Sequence, residues 1–311
     1  MATSGLRLGL GELLGAGMRA VSKYTGMLLA VFVVQSLVAL ACMFGIALVL
    51  VKAFSHLPMF DEAVDGDLVA LLWCIRYGRY AFLAIAGMMF GTLLLWLLAS
   101  WFIAGGINGV LGQRPEGRGD TARCFGASGA STYLTYARLA LCSIPGWIVV
   151  LVLFYVGASI VSPRFDRALT LTELLGPLFL ALLPAALVLH LVWTIADYAR
   201  VELTLRHDTH DPGVIATYAR TVVYVLKRPL TLLHGAFGWL LFFLVTAAYS
   251  YLAQGHPMYG AEGAITLFLV RQGVSLLRMA IKIGVMSGQI ELGRTRPLPP
   301  RRVEANASAT P

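Results

Sequence analysis

Five polar residues recur at helical spacing within the otherwise apolar stretch 264–292. Arg271, Ser275, Arg278, Lys282 and Gln289 follow one another by 4, 3, 4 and 7 residues. At 3.6 residues per turn, that spacing puts all five on one face of a helix. Arg278 stands at the midpoint of the stretch. If the stretch crosses a bilayer, an arginine there costs about 2.5–3.5 kcal/mol on insertion scales unless an anion, water or a cavity meets it. Such a face can bind an anionic substrate or lipid headgroup, or relay charge. Arg271 and Lys282 lie nearer the two ends, where long cationic side chains can snorkel to opposite surfaces.

A second polar set lies in the stretch 174–198. His190 falls about one turn from its centre and Asp197 near its end. One reading sets them opposite the cations of 264–292 as a relay. The plainer reading pairs Asp197 with Arg200 at i, i+3 and Glu202 with Arg206 at i, i+4 on the same helix, worth a few tenths of a kcal/mol each. Arg271, Ser275, Arg278, Lys282, His190 and Asp197 together are the candidate polar pathway.

Other constellations carry less. His207-Asp208-Thr209-His210-Asp211 holds metal-ligand types, yet neighbours on a loop seldom converge on one ion, and no distant third ligand suggests itself. Cys42, Cys74, Cys124 and Cys142 form no CxxC and no zinc spacing. The chain has no phosphate-binding glycine loop, no GxSxG elbow and no HExxH. No catalytic residue, metal or cofactor is therefore assigned, and an enzyme is not the expectation.

The elements that must position these residues are membrane helices. Apolar residues make up 58% of the 311 and charged residues 13%, and mean hydropathy is +0.77. A soluble domain carries about 25% charged residues. Crossing a core about 30 Å thick takes about 20 apolar residues as helix. Segments 26–52, 79–104, 139–161, 174–198 and 229–253 meet that length. The sixth, 264–292, meets it with three cations inside. The run Arg76-Tyr77-Gly78-Arg79-Tyr80 divides 68–104 into a short surface helix over 68–77 and a span that starts near Arg79.

Charge gives the orientation. Sixteen Lys and Arg fall in the N-terminal 25 residues, the 104–139 and 198–229 connections and the C-terminal tail, against Arg164 and Arg167 clear of the helices on the other side. The positive-inside rule then puts both termini in the cytoplasm, which requires an even number of spans. The net charge of +8 is read as this retention signal and not as nucleic-acid binding. Residues 1–293 form one membrane domain, and 294–311 read as a disordered basic tail.

A weak repeat runs through the chain. Thr135-Tyr136-Ala137-Arg138 returns as Thr217-Tyr218-Ala219-Arg220, and Trp101-Phe102-Ile103-Ala104 as Trp193-Thr194-Ile195-Ala196. Arg114 and Arg206 each follow their tryptophan by thirteen positions, and Arg294 follows Ile281 by the same count. The pattern suggests three helical hairpins, each preceded by an amphipathic cytoplasmic helix: 9–24, one before 139, and one from Pro212 to about Arg228 capped by Asp211. The first of these carries Arg19 and Lys23 and is expected to bind an anionic lipid surface. Small residues at Gly87/Gly91, Gly105/Gly109 and Gly284/Gly288 mark close helix packing.

Ala196-Asp197-Tyr198-Ala199-Arg200, a loop, and a helix closing on Lys227-Arg228-Pro229 resemble a diffuse group of uncharacterised six-span bacterial membrane proteins. That group is distantly similar to the membrane domain accompanying some glycerophosphodiester phosphodiesterases. The likeness covers mainly 187–253, lacks the phosphodiesterase domain and so transfers no catalytic residue. It implies a bacterial inner-membrane location, and the preference for Arg over Lys fits a GC-rich bacterial genome. The expectation is an all-α, six-span protein, transporter-like or lipid-handling, with a polar cavity beside 264–292. The alternative is a non-catalytic scaffold or accessory subunit binding a partner or anionic lipid. Partner, substrate and oligomeric state are not legible.

Overall fold

A computed structural model describes residues 9–54, 62, 67–165, 171–206, 213–254 and 261–298. All regular structure among them is helical. In chain order the helices are α1 (Leu10–Lys23), α2 (Thr25–Phe54), α3 (Leu68–Tyr77), α4 (Arg79–Gln113), α5 (Arg118–Phe165), α6 (Leu171–Leu205), α7 (Val214–Leu226), α8 (Pro229–Gln254) and α9 (Ala261–Thr295). Five of them, α2, α4, α5, α6 and α8, are long and apolar enough to cross a membrane. At most 22% of the best apolar window of any of the five is buried within the protein. Apolar surface of that extent is unfavourable in water and neutral in lipid, so the protein is membrane-embedded.

The chain forms two compact units, Leu29–Ile103 and Met1–Leu28 with Ala104–Pro311. In the first, α2 and α4 run antiparallel. The Cys42 thiol meets the Thr92 hydroxyl at 3.1 Å, and a Cβ on Gly45 would lie 2.7 Å from Met88. Asp67 caps α3 through the Val69 and Ala70 amides, and α3 and α4 divide at Gly78, where the basic run predicts it. Cys74 is buried. Gly87 and Gly91 face open space within 4 Å, so this small-residue pair makes no packing contact here.

The second unit holds two further antiparallel hairpins. In α5/α6, Gly146 opposes Val192 and Gly157 opposes the Ala181 carbonyl. In α8/α9, Gly238 opposes Val285, and Thr246 opposes Arg278. The amphipathic helix expected before 139 is not separate. It continues into the span as one 48-residue α5 with Pro145 and Pro163 inside it, because 118–139 lacks a residue that would end a helix. α7 is separate and shorter than expected. It begins at Val214, and Asp211 and Pro212 lie outside the described residues, as does 207–210.

α1 is the amphipathic helix expected over 9–24, and its apolar face docks on α9 while Arg19 and Lys23 stay exposed. Leu13, Gly17 and Ala20 are buried, and Gly17 lies directly on the α9 backbone at Gly284. The Ser287 hydroxyl donates to the Ala16 carbonyl at 3.3 Å. Gly105 and Gly109 are packed the same way against Thr132 and Ser128 of α5.

The start of the tail is also held. Arg206 donates to the Leu298 carbonyl at 2.7 Å, and the Tyr224 hydroxyl donates to the Arg296 carbonyl at 2.9 Å. Leu298 is buried with Leu13, Ile195, Tyr198, Tyr224, Val225 and Leu292. Docked chain therefore extends to 298, past the boundary at 294 that composition suggests. Residues 299–311 lie outside those described.

Candidate functional site

α9 carries its cations to two different surroundings. Arg271 and Lys282 are exposed at the protein surface, while Arg278 is half-buried. The Arg278 guanidinium lies over the Phe242 ring, 4.7 Å from its centroid, and donates to the Thr246 hydroxyl at 2.5 Å. That hydroxyl in turn donates to the Phe242 carbonyl at 2.7 Å. Phe242 and Thr246 stand one turn apart on α8, so a single α8 face supplies both the π surface and the oxygen. The Arg278 Nε is buried without a hydrogen-bond partner among the described residues. None of the ion pairs among those residues involves Arg278.

The rest of the expected pathway does not converge on it. The Ser275 hydroxyl folds back onto the Arg271 carbonyl of its own helix at 2.9 Å. His190 turns to α8, its Nε2 3.1 Å from the Leu232 carbonyl. Asp197 takes the plainer course and pairs with Arg200 at 2.8 Å. Glu202 pairs with Arg206 as spaced. Gln289 is buried at the α9 end, eleven residues from Arg278. A helical face fixes direction from the axis, not reach, so five residues spread over nineteen positions meet different neighbours.

The structure adds residues that spacing does not reveal. His234 is buried, and its Nε2 lies 3.2 Å from the Val285 carbonyl of α9. His190 and His234 thus each join a ring nitrogen to a backbone carbonyl of the next helix. Asn108 donates to the Tyr136 hydroxyl at 2.9 Å, and that hydroxyl lies 2.6 Å from the Thr204 hydroxyl. This network joins α4, α5 and α6. Only the Thr135-Tyr136 motif hinted at it, and the hint concerned repetition.

The three arginines of equal offset do related work. Arg114, in the left-handed region at φ 57°, pairs with Glu291 of α9. Arg294 donates to the Gly112 carbonyl in the last turn of α4, where the orphan carbonyls favour a cation. Arg206 holds Leu298. Arg228 covers the Tyr224 ring at 4.3 Å, and burial pushes that phenol above its ordinary range against the pull of the guanidinium.

Among the described residues, no group of His, Cys, Asp and Glu is placed to hold a metal. The chemistry available at Arg278 is capture of an anion by a cation that α8 orients but does not neutralise. These features define a membrane-embedded all-helical protein. No family model, curated protein or solved structure matches the chain.

Proposed function

We propose that this is a six-span protein of a bacterial inner membrane, both termini cytoplasmic, that handles an anionic group beside α9. The lipid-handling form of the reading is preferred. The observation that carries it is Arg278: a half-buried guanidinium held by a ring face and one hydroxyl. A charge in low dielectric without a counter-ion is strongly disfavoured, and a phosphate or carboxylate entering from the bilayer would complete it.

The pairing of α8 and α9 supports six spans over five. α9 lies antiparallel along α8 from Val285 to Arg278, so where α8 crosses the membrane α9 crosses beside it. α1 on Gly284 then shares a side with the α9 C-terminus, as the Lys and Arg count requires. Equivalence of the three hairpins as a repeat belongs to the same proposal, as does kinship with the six-span bacterial group.

Orientation is testable by thiol labelling. Native Cys74 is unsuitable, because it is buried. Glu62→Cys and Arg19→Cys replace exposed residues. An impermeant thiol reagent applied to intact cells is expected to label the first and spare the second. The reverse pattern would overturn the orientation.

The function is tested by native mass spectrometry of the purified protein with phosphatidylglycerol or phosphatidylethanolamine added. Retention of the anionic lipid alone is expected. Equal retention of both lipids would remove the headgroup reading. It would favour the scaffold reading, for which the specific observation is the exposed Arg271 on an α9 half that carries no buried residue before Met279 among the described side chains.

A further inference from the structure

We propose that the cytoplasmic membrane surface crosses the second unit at Trp147, Trp193 and Trp239, and that these rings contact the glycerol and headgroup layer. The basic ends of the helices then stand in water as a folded platform.

Three helices contribute one tryptophan each to a continuous chain of rings. Trp147 of α5 and Trp193 of α6 meet edge-on at 6.3 Å, and Trp193 and Trp239 of α8 at 5.5 Å. α9 reaches this level at Val285, against Gly238. Trp147 and Trp193 each keep 37% of their surface exposed. Indole rings, apolar with one N–H, concentrate where hydrocarbon gives way to headgroups.

What lies on either side of the rings fits a change of solvent. All eleven buried polar or charged residues among those described, from Asn108 to Gln289, lie on the side of the basic helix ends. So do the ion pairs Arg114–Glu291, Asp197–Arg200 and Glu202–Arg206. On the other side, among the described side chains, α8 has no buried residue after Gly238 and α6 has only Ala185 and, next to the ring itself, Val192; the buried residues there on α5 (Val150, Gly157, Val161) and α9 (Met279, Ile283) are all apolar or glycine. Water drives apolar groups together; lipid does not.

Helix lengths close the argument. At 1.5 Å per residue, the far side spans about 33 Å on α6, about 27 Å on α5 and about 36 Å on α9, close to the roughly 30 Å of a hydrocarbon core. α8 supplies about 22 Å before the described residues end at Gln254. On the near side α6 continues for about 18 Å past Trp193.

The assignment also sorts the α9 cations. Lys282 falls about 4.5 Å below the surface and snorkels out; Arg271 falls about 21 Å below and reaches the opposite face. Arg278, about 10 Å down, can do neither. The surface assignment does not depend on what Arg278 binds.

The test is quenching of tryptophan fluorescence by brominated phosphatidylcholines in proteoliposomes. Trp73, Trp96 and Trp101 are replaced by Phe, leaving the three-ring chain as the only emitter. Bromine at carbons 6 and 7 is expected to quench at least twofold more than bromine at carbons 11 and 12. Strongest quenching by the deeper bromines, or none by either, overturns the assignment. A second measurement covers loss of folding in the triple variant. Leu134→Cys and Leu151→Cys replace exposed residues of α5 on either side of Trp147. With only single changes, the first should gain one label from a polar thiol reagent over wild type, and the second none. A label gained at Leu151→Cys, or none at Leu134→Cys, also overturns it.

Discussion

Arg278→Leu is expected to melt at or a few degrees above the wild type in detergent and to lose the anionic lipid, with retention falling at least tenfold. Leu near a span centre is favourable by about 0.3–0.6 kcal/mol, where Arg costs about 2.5–3.5. Against that gain stand the lost hydrogen bond to Thr246 and the lost contact with Phe242, each worth about 1–2 kcal/mol. The two sides nearly cancel, with the balance toward stability. The absence of a carboxylate partner among the described residues matters to the sign. Removing one half of a buried ion pair would leave the other charge stranded, at a cost of about 3–5 kcal/mol. Thr246 is neutral, so nothing is stranded here. A variant that melts well below the wild type would make Arg278 a structural strut. One that melts higher and still retains phosphatidylglycerol would leave the scaffold reading ahead.

Much of this was legible in the sequence because membrane helices are written in long apolar runs. α2, α8 and the α3/α4 break at Gly78 stand within two residues of their expected places, since charges or Gly and Pro mark those ends. The opposite happens at α4, α5 and α6. Hydropathy stops at the water boundary, but the helices do not. Residues 105–113, 118–138 and 199–205 remain helical in a polar stretch that reads as connection. Backbone hydrogen bonding there is supported by side-chain packing, as Tyr136 against Thr204 illustrates, and no periodicity of apolar residues reports such long-range partners. The same limit governs the site. Spacing put Arg278 on a polar face, and Asp197 with Arg200, because both facts are local to one helix. That Phe242 and Thr246 would receive Arg278, and His234 would face Val285, depends on how α8 sits against α9. Single-sequence reading has no access to that register.

α1 supplies the other large effect, and it is asymmetric. Gly17→Ala is expected to destabilise the protein by about 1–3 kcal/mol, whereas Gly284→Ala, at the other side of the same crossing, is expected to be neutral or slightly stabilising. A Cβ on Gly17 would lie 2.7 Å from the Gly284 carbonyl oxygen and 3.0 Å from its carbonyl carbon and Cα. These are backbone atoms inside a helix, and no rotamer relieves the overlap. α1 must lift, and lifting exposes Leu13, which is wholly buried. A Cβ on Gly284 meets Gly17 no closer than 3.7 Å, an ordinary contact. Both changes gain roughly 1 kcal/mol of helix propensity, so the difference between them isolates the steric term. Gly11→Ala, with nothing within 4 Å, reports the propensity gain alone. Thermal unfolding of the three variants in one detergent measures all terms, and limited proteolysis near residue 24 reads release of α1 directly. Equal melting of Gly17→Ala and Gly284→Ala would mean that α1 does not dock on α9 through Gly17. Its apolar face would then be free to meet lipid together with the exposed Arg19 and Lys23.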